Sequence, residues 1–319
     1  MLLRILGALL LIGVLVVAAF AWLMQPVDRS EAEARWMTDE DRMVEAAGQS
    51  WRVRESGPAE APVVVLIHGF SHSLESLEPL ADALESDHRV IRFDLPGHAL
   101  TGPREDSAYA VDATVRQVAI LLDDIAPENF VLGGHSLGGL VAWRYAADHG
   151  DRVDHLVLIA PGGYPNLGVA DEPAPVPQQV RLFLTAAPMA GVRAATAVLY
   201  ADPSRISQAQ LERIQAMMSI EGIGPALVQR IEQFTLPDPN PVLREIETPT
   251  LILWGQRDVM ISPQHGPRFA AAMPDASLVL IEDAGHMPVE EQPGATAQAV
   301  RAFLAASQDP VPRDLEQER

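Results

Sequence analysis

The chain has 319 residues, 48% of them hydrophobic and 21% charged, which suits one large globular domain or two small ones and excludes a disordered or fibrous protein. Asp and Glu number 43 against 23 basic residues, a net charge of −20 that repels a phosphate backbone and argues against a nucleic-acid partner. Every basic residue is arginine and cysteine is absent, which excludes Schiff-base and pyridoxal-phosphate lysines, a Walker-type P-loop, thiol nucleophiles, thiolate metal ligation and disulfides.

The first predicted element is apolar. From Ile5 to Met24 no residue is charged, and about 20 helical residues cross a hydrocarbon core of ~30 Å. Residues 1–26 therefore read as a transmembrane anchor or a signal peptide. The run exceeds the roughly 7–15 apolar residues of a cleaved signal, which favours the anchor, while Ala19-Phe20-Ala21 offers a cleavage pattern that would give a secreted protein. Arg4 before the run is the export arrangement. The expected location is the bacterial inner membrane, with the folded domain periplasmic.

Residues 27–42 read as a polar, helix-prone linker, and 43–47 and 51–55 flank Gly48-Gln49 as a hairpin. Apolar β-branched runs at 63–67, 90–93, 130–133 and 153–159 then alternate with helical patterns at 74–84, 111–125 and 137–148. Such alternation predicts an α/β fold with a mostly parallel central sheet covered on both faces. From 161 to 245 it breaks into proline-rich and helical sequence, including 180–186 and 211–220, without a strand. It resumes with strands at 250–254 and 277–281 and helices at 263–273 and 295–306. The core is thus expected over 43–160 and 246–306, with 161–245 inserted as a helical cap over the sheet edge where such folds bind ligands. The tail, 307–319, is charged and expected to be disordered.

The chemistry centres on Gly134-His135-Ser136-Leu137-Gly138, where a strand stops and a helix starts. A serine exposed on so sharp a turn needs glycines on both sides, and the strand–turn–helix context is the test of the motif. A serine hydroxyl needs a general base, and the base needs an orienting acid. His286 follows the last predicted strand and Asp258 the one before it, at the same sheet edge and in the chain order Ser, Asp, His. Asp283, in the loop of His286, is the rival acid and reads as a turn residue. Two backbone donors should face the oxyanion: the N–H of Leu137 and the N–H of Phe70, in the loop after the 63–67 strand. His68 reads as a structural hydrogen-bonding residue, while His72 and His135 lie close enough to line the site. The nine histidines show no metal-ligand spacing, so neither a metal nor a cofactor is expected.

His68-Gly69-Phe70, Asp94-Leu95-Pro96-Gly97-His98, Gly134-His135-Ser136-Leu137-Gly138-Gly139, Gly255-Gln256-Arg257-Asp258 and Gly285-His286-Met287-Pro288 resemble the successive motifs of the α/β-hydrolase superfamily. They span residues 43–306. The run from 92 to 103 is also similar to the small bacterial lipases and esterases called family V, with Ala99 where many relatives have glycine. The resemblance implies a serine hydrolase, and Ser136 in place of a carboxylate disfavours dehalogenases and epoxide hydrolases. Carboxylic-ester hydrolysis is the expected reaction; carbon–carbon bond hydrolysis, lactone opening and acyl transfer could share the triad, and an inactive binding module is the remaining alternative. Phe183, Met189, Met217 and Met218, with the aliphatic residues around them, are candidate contacts for an apolar ester. Acyl chain length and oligomeric state are not readable from the sequence.

Overall fold

The computed structural model describes residues 26–306; the apolar run at 5–24 and the tail at 307–319 lie outside the described residues. Eight strands form one sheet: β1 (Asp41–Ala46), β2 (Gln49–Ser56), β3 (Val63–Ile67), β4 (Arg89–Phe93), β5 (Phe130–His135), β6 (Val153–Ile159), β7 (Thr250–Gly255) and β8 (Ala276–Ile281). Their order is β1-β2-β4-β3-β5-β6-β7-β8. The β1–β2 and β2–β4 pairings are antiparallel and all others parallel.

Period-two side chains explain why the strands read as unbroken apolar runs. In β3, Val63, Val65 and Ile67 enter one core layer with α3 (Val111–Ile125) and α4 (Leu137–Asp148), whereas Val64 and Leu66 enter the other. That second layer packs against α2 (Glu78–Leu84) and α12 (Pro293–Ala306). β3 lies between its successor β4 and the later β5, so the winding direction reverses there. The crevice at the C-terminal ends of β3 and β5 is the position where such sheets bind ligands.

Several boundaries differ from the sequence reading. The hairpin turns on Ala47-Gly48, both at positive φ (51° and 70°), because Ala46 pairs with Gln49. This is the backbone that a two-residue hairpin between twisted strands demands. The predicted helix at 74–84 splits into a 3-10 turn, Leu74–Leu77, and α2, with Pro79 in the first helical turn, where its missing N–H is harmless. The stretch expected as a linker is folded. It carries α1 (Arg29–Trp36), whose N-cap Asp28 accepts from the Ser30 N–H at 2.8 Å, a cap worth about 1 kcal/mol.

Between β6 and β7 the chain forms α5 (Gln178–Ala186), α6 (Met189–Leu199), α7 (Gln208–Met218), α8 (Ile223–Gln233) and the short α9 (Asn240–Leu243). α7 begins with a reciprocal capping box, Ser207 with Gln210. Arg230 of α8 fastens this insertion to the sheet. Its guanidinium is buried and donates to the carbonyls of Pro96 (2.7 Å) and Tyr109 (3.2 Å) and to Thr114 Oγ1 (3.1 Å). Burial brings its pKa down to about 10. After β7 come α10 (His265–Ala272), β8, α11 (Pro288–Glu291) and α12.

Candidate active site

Ser136 sits between β5 and α4 with φ 54° and ψ −113°, a conformation that costs a non-glycine residue on the order of 1–3 kcal/mol. The surroundings impose it: the Ser136 N–H donates to the Ile159 carbonyl (2.9 Å), and its own carbonyl accepts from Leu140 and Gly162 (3.0 Å each). A Cβ on Gly134 would lie 2.2 Å from the Gly138 carbonyl oxygen, and one on Gly138 would lie 2.1 Å from that of Ile67. The paired glycines therefore answer close backbone approach, as the motif suggested.

His286 follows β8 and Asp258 follows β7, and the fold brings them together: His286 Nδ1 lies 2.7 Å from Asp258 Oδ2. Asp258 Oδ2 also accepts from Trp254 Nε1 (3.1 Å), while Oδ1 accepts from the N–H groups of Met260 (2.8 Å) and Ile261 (3.0 Å). Four donors thus fix the buried carboxylate. Asp283 lies elsewhere: it is exposed, at φ 51°, and pairs with Arg257 at 2.6 Å. The backbone of His286 is held from both sides, its N–H donating to the Leu199 carbonyl and its carbonyl accepting from His135 Nε2, each at 2.7 Å. That contact places the His135 proton on Nε2, leaving Nδ1 buried without a partner. Burial first, and the neighbouring His286 second, hold the His135 pKa well below its ordinary value.

Leu137 opens α4 and Phe70 follows β3, across the crevice at the switch point. Among the described residues no hydrogen-bond acceptor takes up either backbone N–H. The loop carrying Phe70 is braced from beneath. His68 Nδ1 contacts the Gly69 carbonyl at 2.7 Å and its Nε2 accepts from the Leu95 N–H at 2.9 Å; burial pushes its pKa down to about 3. Asp94 accepts from the N–H groups of Leu74 (2.8 Å) and Leu100 (3.2 Å) beside the buried Arg52 (3.4 Å). Burial raises the Asp94 pKa to about 6, against the pull of Arg52 and with the help of Glu75. Ala99 adopts φ 41°, so the substituent found where many relatives carry glycine stands in the left-handed region.

Ser136, His135 and His286 share one cavity of about 230 Å³ with Phe70 and His72, roofed by helices of the insertion. Of the side chains expected to meet a substrate, His72, Phe183 and Met218 line it. Met189 and Met217 do not. Met217 is buried in the insertion's own core, and Met189 packs part-buried against that core. His72 Nδ1 meets the Phe70 carbonyl at 2.9 Å, and its Nε2 is buried without a partner. Burial lowers its pKa. The sequence reading missed Glu291, whose carboxylate accepts from the Gly285 N–H (2.6 Å) and from Ala201 (2.7 Å) and Asp202 (3.2 Å). It ties the His286 loop to the insertion, and nothing in the spacing of the sequence marks it. No cluster of potential metal ligands occurs among the described residues.

The family model described as alpha/beta hydrolase fold matches residues 62–293, and the chain belongs to that family. It is 31% identical over 268 residues, 82% of this chain and 68% of the relative, to the dihydrolipoyllysine-residue acetyltransferase component of an acetoin cleaving system from Pseudomonas putida. With Lipase 3 of Moraxella sp. (strain TA144) it shares 23% identity over 259 residues, 81% and 82% of the two chains. The crystal structure of a membrane phospholipase A matches with a TM-score of 0.73 and 24% identity, over 97% of this chain and 100% of that one. Fold and lipase-named relatives together support a hydrolase.

Proposed function

We propose that the protein is a serine carboxylic-ester hydrolase acting on apolar esters. One observation carries this reading: the strained turn presents Ser136 in the same apolar cavity as a histidine whose Nδ1 is held by a fully hydrogen-bonded aspartate. Ser136 Oγ attacks the ester carbonyl carbon while its proton passes to His286 Nε2, and Asp258 keeps the imidazole oriented. The carbonyl oxygen, now an oxyanion, receives the N–H groups of Phe70 and Leu137. Collapse breaks the bond to the alkoxy group, which leaves with the proton from His286. Water then gives a proton to His286 as it attacks the acyl carbonyl, and collapse breaks the bond to Ser136 Oγ, which takes that proton back as the acid leaves. Residues 1–26 serve as a membrane anchor that holds the enzyme at the periplasmic face of a bacterial inner membrane. The uncharged run at 5–24 supports this, as does the likeness to the structure described as a membrane phospholipase A.

The test is turnover of p-nitrophenyl esters from acetate to palmitate by the full chain in detergent, with Ser136→Ala as control and a fluorophosphonate probe reporting the nucleophile. Ser136-dependent hydrolysis is expected, with loss of at least about 10⁴-fold in the variant. Probe labelling without turnover of any ester overturns ester hydrolysis in favour of carbon–carbon cleavage, lactone opening or acyl transfer; absence of labelling in a folded protein overturns the nucleophile itself.

A further inference from the structure

We propose that the face of the helical insertion around the mouth of the Ser136 cavity, built on α5 and α6, lies against a lipid bilayer surface. This rests on the anchor reading above and adds to it the orientation of the enzyme.

The chain enters the fold at the insertion. Val27 N–H donates to the Ser219 carbonyl (2.8 Å) and Glu221 N–H donates to the Val27 carbonyl (3.0 Å), pairing Val27 with Ile220 at the turn between α7 and α8. Ala32 of α1 is buried in the insertion's core with Leu211 and Met217. The uncharged run ends at Met24, and three residues span at most about 11 Å, so an anchored chain holds its insertion beside the membrane.

The helices that line the cavity carry exposed apolar side chains. Leu182 (61% exposed) and Val198 (51%) directly adjoin Phe183 and Leu199, which line the cavity. Ala195, one turn before Val198 on α6, is both exposed and part of the lining. Ahead of α5, the Asn166 side chain donates to the Met260 carbonyl at 2.9 Å. It thereby brings Leu167 (71% exposed) near Val259 (73%) and the cavity-lining Met260. Exposed large apolar residues gathered at one opening mark an interaction surface.

Charge separates this region from the rest of the molecule. On α5 and α6, residues 178–199, the charged side chains are Arg181 and Arg193, with no acid among them, in a chain of net charge −20. Arg181 pairs with Glu232 of α8, and Arg205 lies 3.7 Å from Asp202. Arg193 has no carboxylate partner among the described residues and donates to Gln208 Oε1 at 2.7 Å. Exposed apolar side chains beside two arginines, on helices without an acid, match the boundary between acyl chains and anionic headgroups.

Absence of cysteine makes the test direct. Leu182→Cys, Val198→Cys and, as a distant control on the β8 edge, Val279→Cys are each made in the full chain and labelled with an environment-sensitive fluorophore. The labelled proteins are mixed with phosphatidylcholine–phosphatidylglycerol vesicles carrying a spin-labelled lipid quencher. Flotation and Ser136-dependent hydrolysis of p-nitrophenyl acetate are read on the same samples. The probes at 182 and 198 are expected to lose about half their emission or more, and the probe at 279 to keep it. Flotation with equal quenching at all three sites, or with none, overturns the proposed face while leaving the anchor standing. Failure to float overturns the anchor and the face with it. Loss of ester turnover alone strikes only the hydrolase assignment.

Discussion

The floor and the roof of the Ser136 cavity are built by opposite means. The floor consists of four loops at the C-terminal sheet edge, and directional bonds hold its acid–base pair: His286 by Asp258, His135 and, from the insertion, Leu199, and Asp258 by four donors. The roof is helical and apolar, and Phe183, Leu184, Val192 and Met218 meet the cavity through packing. Directional bonds hold reacting atoms to fractions of an ångström, which acid–base chemistry requires. Packing tolerates exchange of similar volumes. The floor should therefore govern whether reaction occurs, and the roof which substrate reacts.

The sharpest way to break that comparison is to alter the bond that orients His286. Asp258→Asn keeps the shape but removes the acceptor that matches an Nδ1–H donor, and a loss of about 10⁴-fold in kcat is expected, with little change in KM. Asp283→Asn, which only releases Arg257 from an exposed ion pair, should leave kcat within about twofold. Equal effects in the two variants would transfer the orienting role to Asp283 and undo the geometry described for the floor.

The same contrast decides what was legible in the sequence. Floor residues stand in short motifs because the backbone there allows few alternatives; Gly134 and Gly138 leave no room for a Cβ, and strand ends fix where Ser136, Asp258 and His286 emerge. Within the insertion, periodicity marked helices at 180–186 and 211–220 but neither α6 nor α8. Which helix face meets the cavity was not visible, since α5–α7 carry apolar residues on more than one side, and of the neighbours Met217 and Met218, both buried in the insertion's core, only Met218 also lines the cavity. Glu291 was invisible for another reason. Its partners are backbone N–H groups of residues 201, 202 and 285, and no residue type advertises a main-chain donor. The segment at 27–42 looked like a linker because its burial comes from the insertion, nearly 200 residues away in sequence.

Acid should weaken the floor before the roof. His68, His72, His98 and His135 all have pKa values held down chiefly by burial, that of His68 to about 3. As the pH falls below 6.5 the unfolded chain binds protons at these sites ahead of the native chain, and at His68 the difference lasts to about pH 3. Stability is therefore highest above the unfolded value near 6.5 and falls as the pH drops through it, by about 1 kcal/mol per histidine per pH unit. Asp94, raised to about 6, works in the opposite sense between about 4 and 6 and offsets one of the four. Thermal unfolding followed from pH 7.5 to 5.5 should show a decline in Tm on the order of 10 °C. A Tm that does not move across this range would mean that the histidines exchange protons freely in the folded state, and the floor would lose its claim to rigidity.

Substitutions in the roof should separate substrate choice from stability. Phe183 lines the cavity and packs over Gly191, so Phe183→Ala enlarges the space without touching a floor residue. Its expected effect is a rise of about threefold to tenfold in kcat/KM for longer acyl esters relative to acetate, equivalent to about 1 kcal/mol of added apolar contact. Met217→Ala should do the reverse. That side chain is buried in the insertion's core and absent from the cavity lining, so its loss costs about 2–5 kcal/mol in stability and leaves the chain-length profile as it was. If Met217→Ala shifted the profile as much as Phe183→Ala, the cavity and the insertion's core would be one deformable body. Substrate choice would then belong to the roof as a whole, with no set of lining residues to engineer.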